Sequence, residues 1–356
     1  MNLTPYQRLA HRLDELPNGY PPTPDGVELR MLAHLYTPEE ADLAASLRLT
    51  LETAEQVAER LGRDPKETRA MLKSMSRRGL IDAGRTEGGL GYGLLPFVVG
   101  IYEMQVASLD AEMARMFEDY YHLAFGASLG IKPQVHRVIP VGQSLQAGTE
   151  IQPYESAAEI VRSAQAWGVL DCICRKQKAL VGEPCKHPVD VCMALSQHPG
   201  AFDQSAVVHA LSLEEALQTL ERAARAGLVH SVSNSQHGLG YICNCCTCAC
   251  GVLRGIAELG ILNAVAESAF INTVDQDRCN ACAACLEGCQ FNALHLEMVM
   301  MVDPLHCVGC GVCVQLCPEG ALSLVRRPAQ PAPPLDAAEW QRVRAAARGR
   351  PLEDVL

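Results

Sequence analysis

The chain has no surplus of positive charge. Its 30 Lys and Arg face 41 Asp and Glu, a formal net charge of −11 over 356 residues. That balance excludes a general nucleic-acid coat, which needs a basic footprint for the phosphates. Long apolar runs are missing too. One of the best, LLPFVVGIY at 94–102, falls far short of the roughly 20 residues that span a bilayer. No apolar stretch follows a basic start in MNLTPYQRLAHRLDELPNGYPP. No signal peptide is therefore expected, and the chain reads as soluble and cytoplasmic, with no membrane insertion. Neither a Gly-rich dinucleotide fingerprint behind a strand nor a nucleophile elbow occurs. GLGYGLL and GLGYICN are rich in glycine but fall in expected hairpins. Aromatic residues are only 5% of the chain, against 48% hydrophobic. The whole reads as an ordinary acidic globular protein of two or three domains.

Cysteine is what the chain has in quantity: 17 residues, five of them crowded into CNCCTCAC at 243–250. Disulfides fit this poorly. Neighbours such as Cys245 and Cys246 seldom reach bridge geometry, and disulfide scaffolds belong to small secreted chains. Thiolates on a tight loop can instead converge on a soft metal ion or a cluster.

The strongest motif lies in the last third. RCNACAACLEGCQFNAL carries Cys279, Cys282, Cys285 and Cys289. HCVGCGVCVQLCPEGAL repeats the x2-x2-x3 spacing with Cys307, Cys310, Cys313 and Cys317, followed by Pro318. Zinc ribbons do not use that spacing twice over. The pair of runs resembles a bacterial two-cluster ferredoxin over about residues 275–325, in which the fourth cysteine of each run ligates the other cluster. The resemblance implies one [4Fe–4S] cluster on Cys279, Cys282, Cys285 and Cys317, and a second on Cys307, Cys310, Cys313 and Cys289. ALHLEMVMMVDPLH between the runs would supply paired strands of a ferredoxin-like fold. Gln290 stands where a proline usually follows the fourth cysteine, a departure that bears on local rigidity rather than ligation. His306, beside Cys307, reads first as a solvent-exposed histidine, with tuning of a cluster by hydrogen bonding as the alternative.

Nine cysteines are left over. Cys172, Cys174, Cys185 and Cys192 lie in DCICRKQKALVGEPCKHPVDVCMAL and suffice for one tetrahedral zinc or one cubane cluster. Arg175, Lys176 and Lys178 would offset the thiolate charge, and His187 could replace a cysteine. In CNCCTCAC, alternate side chains of extended backbone share a face. That predicts Cys246, Cys248 and Cys250 on one side and Cys243 or Cys245 on the other, serving two centres. Nine thiols are enough for two four-thiolate clusters with one to spare. The region also resembles cysteine-rich regions of ferredoxin-domain proteins from anaerobic metabolism. Further iron–sulfur clusters are favoured here, since chains that bind one cluster often assemble a relay. Structural zinc and a thiol redox or persulfide site are the alternatives.

The expected fold class is α+β: a winged-helix-like N-terminal domain, a central cysteine-rich α+β domain and a C-terminal ferredoxin-like domain. TAEQVAERLGRDPKETRAMLKSMSRRGLI (53–81) reads as helix, turn, helix, with Met71, Leu72 and Met75 as an apolar stripe, and IDAGRTEGGLGYGLL as the strands of a wing. Residues 101–126 predict one long amphipathic helix, 134–142 a strand, 156–165 a short helix, 251–265 a helix, and the tail a short helix docking Trp340. An internal echo links LKSMSRRGLIDAGRTEGGLGY (72–92) with LERAARAGLVHSVSNSQHGLGY (220–241), which suggests a duplicated helix-hairpin unit. The boundaries that follow are 1–100 for the winged-helix-like domain, 101–170 for a connecting region, 171–270 for the cysteine-rich domain, 271–326 for the ferredoxin domain and 327–356 for a Pro/Ala linker and tail.

Function follows from the clusters. The chain is expected to be a polyferredoxin-like electron carrier with two [4Fe–4S] clusters, and up to four, relaying low-potential electrons to a partner oxidoreductase. It would act as a carrier or oxidoreductase subunit rather than a stand-alone enzyme, with a donor and an acceptor protein as partners and a homo-oligomer not excluded. The alternative is a redox subunit or maturation factor with an unusual reactive cysteine-ligated centre. A redox-sensing transcription regulator is less favoured: residues 51–95 hold eight basic and seven acidic side chains, thin for neutralising phosphates, so protein docking is the preferred role for that region.

Overall fold

The computed structural model describes residues 3–145, 148–350 and 352. Met1 and Asn2, at the head of the segment read for a signal peptide, and positions 351 and 353–356 of the expected tail lie outside the described residues. The protein is α+β, and it divides into two units. One holds the described residues up to Ser128 with Leu180–Gly182 and those from Gln341 onward; the other holds Leu129–Ala179 and Glu183–Trp340.

The first unit is helical. Helices α1 (Pro5–Glu15), α2 (Val27–Leu35) and α3 (Pro38–Ala45) precede a short strand β1 (Glu52–Thr53). Thr4 and Thr37 open α1 and α3 with capping boxes, each followed by a proline that has no amide to leave unpaired. Helix α4 (Ala54–Leu61) and helix α5 (Pro65–Arg77) meet at Gly62, and strands β2 (Asp82–Thr86) and β3 (Gly89–Gly93) form a hairpin that β1 extends. Leu72 and Met75 are buried, while Met71 is only half-buried. The long helix expected at 101–126 is broken. It appears as α6 (Tyr102–Met104) and α7 (Ala111–Leu123), because the carboxylate of Asp110 accepts the Met113 N–H at 2.8 Å and starts a new helix there. Much of the scarce aromatic complement gathers here, with Tyr102 stacked on Phe117 at 3.7 Å and Tyr20 against Phe97 at 4.7 Å.

The second unit is built on a six-stranded antiparallel sheet. Its elements are β4 (His136–Ile139), α8 (Ala157–Ser163), β5 (Ala166–Leu170), α9 (Ile173–Leu180), β6 (Cys192–Ser196), β7 (His209–Leu211), α10 (Leu213–Arg225), β8 (Val229–Ser233) and β9 (Tyr241–Cys245). The strand order is β4-β8-β9-β6-β5-β7. Helices α8 and α10 bury Ile160, Val161, Ala216 and Leu220 against Ile139, Met193, Val232 and Ile242 of one sheet face. Alternation along the strands then turns Cys192 and Cys243 to the opposite face, and the β6–β9 register, Met193 opposite Ile242, sets those two cysteines side by side. Only α11 (Arg254–Ala257) of the helix expected at 251–265 forms, since Gly260 turns left-handed at φ 66°.

The segment that carries the two cysteine runs, here called the ferredoxin module for the resemblance of its spacing, closes this unit. Strands β10 (Phe270–Val274) and β13 (Leu322–Arg326) pair antiparallel, with the hairpin β11 (Leu294–Leu296) and β12 (Met300–Val302) and the turn of helix α12 (Val312–Gln315) between them. It is joined to the six-stranded part by Val141 N–H to Cys310 C=O at 2.9 Å and Ser268 N–H to Val308 C=O at 3.0 Å. In helix α13 (Ala337–Ala347), the Trp340 indole N–H donates to the Gln134 carbonyl at 2.9 Å.

Candidate metal centres

Two thiol quartets occupy the ferredoxin module. Cys279, Cys282, Cys285 and Cys317 line one pocket; Cys289, Cys307, Cys310 and Cys313 line the other. The chain makes each quartet by the same local device. Cys279 N–H bonds the Asp275 carbonyl and Cys307 N–H the Asp303 carbonyl, both at 3.1 Å. The backbone then turns left-handed at Ala281 and Ala283 in one loop and at Gly309 and Gly311 in the other. Backbone amides already point at sulfur: Ala293 to Cys289 at 3.2 Å, Ala321 to Cys317 at 3.3 Å and Met300 to Cys279 at 3.4 Å. The Asn272 amide adds a side-chain donor to Cys313 at 3.3 Å. Such donors favour thiolate over thiol and fit iron ligation. Burial pushes the Cys310 thiol up to about 12, and positive charge from a bound centre would favour its thiolate.

The quartets differ in exposure. Cys282 is exposed and the Ala281 and Ala283 turns are half-open to solvent. The equivalent turns of the second loop are covered. A Cβ on Gly309 would run into the Phe270 carbonyl, and one on Gly311 into the Ser144 side chain. Glycine is therefore required in the inner loop, where the six-stranded part and β10 press against it. His306 is bonded to Asp303 at 2.6 Å rather than to a cysteine.

The other nine cysteines are distributed differently from the sequence expectation. Cys172, Cys174, Cys185 and Cys192 do not form one foursome. The thiol of Cys172 neighbours those of Cys174 and Cys192, Cys192 neighbours Cys243, Cys243 neighbours Cys245, Cys245 neighbours Cys250, and Cys250 neighbours Cys174. These six thiols close a ring drawn from the start of α9, the start of β6, the end of β9 and the loop after it. Cys185 stands apart, with Cys246, Cys248 and His187. Nor do Cys246, Cys248 and Cys250 share a face. Extended backbone ends at Cys245, and the chain turns through 247–249, so strand alternation governs Cys243 and Cys245 only. The turn returns Cys250 to the ring.

Three residues that the sequence did not single out as ligand supports hold these sites. Asn244, fully buried, donates to the Val191 carbonyl at 2.5 Å and pairs with His230 Nδ1 at 2.5 Å. Ser231 lies 3.7 Å from the Cys245 sulfur. Gln290 sits next to Cys289 of the inner quartet; its Oε1 accepts the Thr247 N–H at 2.8 Å, and its Nε2 donates to the Gly227 carbonyl at 2.5 Å. The departure from proline at this position was the available signal: an amide bridges there, where a proline ring could not. Arg175, 2% exposed, donates to the Pro188 carbonyl at 3.0 Å and the Asn244 carbonyl at 2.7 Å. Burial works against its charge, but the sulfurs of Cys172, Cys246, Cys245 and Cys192 outweigh that and hold the guanidinium above its ordinary range.

Among the described residues, no helix is long and apolar enough to cross a membrane. No curated protein and no solved structure matches the chain. Residues 300–323 match the 4Fe-4S binding domain family, over a stretch that contains Cys307, Cys310, Cys313 and Cys317. The chain is an iron–sulfur protein with a 4Fe–4S cofactor and a role in electron transfer.

Proposed function

We propose that this protein is a polyferredoxin-like relay that carries low-potential electrons through several centres to a partner oxidoreductase. Cys279, Cys282, Cys285 and Cys317 hold an outer [4Fe–4S] cluster, and Cys289, Cys307, Cys310 and Cys313 an inner one. These clusters supply one-electron chemistry when bound, while the chain sets burial, hydrogen bonds and nearby charge. The exposed Cys282 makes the outer site the point of exchange with a partner. Gly309 and Gly311 let the inner loop press against the rest of its unit.

Gln290 is the observation that carries the relay beyond the ferredoxin module. One side chain, adjacent to the inner ligand Cys289, hydrogen-bonds the peptide between Cys246 and Cys248. The six-thiol ring, with Cys245 just beyond that peptide, is the next centre. Six thiols are more than one cubane takes, which favours a single larger iron–sulfur centre and keeps open a redox subunit or maturation factor built around it. The acidic chain suits docking to a basic patch, and the α4–α5 pair with its hairpin serves as a winged-helix-like docking module.

Iron and acid-labile sulfide per chain, on protein purified without oxygen, test this reading. About eight irons belong to the two ferredoxin quartets. Iron well above that supports the ring as a further centre. Iron at eight, unchanged by Cys192→Ala, sinks the extended relay and leaves a ferredoxin module alone.

A further inference from the structure

The four donors set apart from the ring have a different geometry. Cys185 Sγ lies 3.5 Å from Cys246 Sγ and 3.2 Å from Cys248 Sγ, and the latter two are 3.2 Å apart. His187 Nδ1 is 3.1 Å from Cys185 Sγ and 3.8 Å from Cys248 Sγ. All four donor atoms fall within 4.8 Å of one another. A single tetrahedral zinc, with bonds of about 2.3 Å to sulfur and about 2.0 Å to nitrogen, has donor-to-donor edges of roughly 3.4–3.8 Å. The observed spacings lie within about half an ångström of that scale, the sulfur pairs on its short side. A cubane would have to push the same donors apart by the width of a whole iron–sulfur core. Among the described residues, no trio from the ferredoxin quartets or the six-thiol ring is drawn within the same 4.8 Å, so this group differs in kind from its neighbours.

We propose that Cys185, His187, Cys246 and Cys248 hold one tetrahedral zinc ion. Two short chelating turns supply it, Cys185-Lys186-His187 and Cys246-Thr247-Cys248. The His187 backbone N–H donates to Cys185 Sγ at 3.4 Å, the kind of amide–sulfur support that orients a ligand. Three thiolates and a neutral imidazole around Zn²⁺ leave one net negative charge. Arg175 answers it: its Nη2 is 3.7 Å from Cys246 Sγ, and its carbonyl partners Pro188 and Asn244 follow His187 and precede Cys245. With four protein donors the site is closed, which marks a structural rather than a catalytic ion. Zinc is redox-inert, so it holds the turn that carries Thr247 and Cys250 without taking part in electron transfer. The ion joins two segments that the chain separates by about sixty residues, and it does so beside the ring rather than within it.

The test is zinc, iron and sulfide counted together on the full-length, anaerobically purified protein, with zinc-edge X-ray absorption for the ligand shell. About one zinc per chain is expected, in a shell of three sulfurs and one nitrogen. Cys248→Ala should lower zinc about fivefold or more while the ferredoxin signals persist. His187→Cys should keep the zinc and change its shell to four sulfurs, which guards against a variant that merely fails to fold. A wild-type protein without zinc, a shell other than three sulfurs and one nitrogen, or a Cys248→Ala protein that keeps its zinc and loses iron would each overturn the assignment. Iron and sulfide in the same samples report on the relay, so the two readings fail separately.

Discussion

The ferredoxin module and the six-thiol ring solve the same problem, gathering thiols, in opposite ways. In the ferredoxin module each loop contributes three sulfurs from seven consecutive residues, and one crossing cysteine completes each quartet. In the ring, close spacing brings together only Cys172 with Cys174 and Cys243 with Cys245; the other neighbours come from separate elements. Cys192 meets Cys243 because β6 and β9 pair in one register, and Cys172 and Cys174 arrive from the turn into α9. A loop site is coded by intervals, whereas a sheet site is coded by register and by where a strand stops. A one-residue slip in the sheet would turn Cys243 to the α8–α10 face and Ile242 out of its core, while the ferredoxin quartets would be untouched.

The largest effect that should separate the two regions comes from the inner quartet. Cys310→Ala is expected to cost about four irons per chain and one ferredoxin-type EPR signal, with the ring's iron retained. An unchanged spectrum would remove Cys310 from the ligand set. Cys192→Ala should do the reverse, losing iron beyond the ferredoxin complement while both ferredoxin signals stay; loss of a ferredoxin signal instead would break the comparison.

Within the ferredoxin module, the outer and inner loops should respond unequally to a methyl group. Gly311→Ala places a Cβ against Ser144 in a left-handed residue at φ 75° and should lower the unfolding midpoint by roughly 4 °C or more. Ala283→Gly, the same position of the open loop, should shift stability by no more than about 1 kcal/mol. Equal shifts in thermal scans would mean that the inner loop is not the packed one. Gln290→Pro removes both hydrogen bonds of the bridging amide. A loss of about 1–2 kcal/mol is expected, together with slower electron exchange between the ferredoxin clusters and the remaining centres after flash reduction. Unaltered kinetics would detach the bridge from the relay.

The smallest effect concerns acid. His136 is 4% exposed, neither ring nitrogen has a hydrogen-bond partner among the described residues, and burial lowers its pKa to about 4. The folded protein therefore refuses a proton that the unfolded chain accepts below about 6.5. Its contribution is complete above that pH and is lost as pH falls from about 6.5 towards 4, at about 1 kcal/mol per unit. Urea titrations at pH 6.5 and 5.5 should show a steeper loss for wild type than for His136→Leu, and parallel losses would assign the acid sensitivity elsewhere.

Much of the fold could be read in advance where the signal is local. The capped helices α4 and α5, the hairpin after them, the paired strands between the cysteine runs and Trp340 in the last helix all rest on short-range patterns. The failures have physical causes as well. Asp110 interrupts the apolar periodicity of 101–126 by capping a new helix, which a periodicity count passes over. In CNCCTCAC the alternation was sound for Cys243 and Cys245, but the strand ends at Cys245, and the turn beyond it reassigns Cys246, Cys248 and Cys250.

From its residues alone, this chain declares the chemistry: thiols in number and two runs with cluster spacing. Intervals of two and three residues suffice for that, because a loop can wrap a cluster without help from distant chain. The partition of the remaining nine cysteines into a ring of six and a Cys3His foursome depends instead on the β6–β9 register, the buried Arg175 and the Gln290 bridge. Those are contacts between residues about forty to seventy positions apart, and no local pattern encodes them. They exist only once hydrophobic burial on the α8–α10 face has aligned the strands.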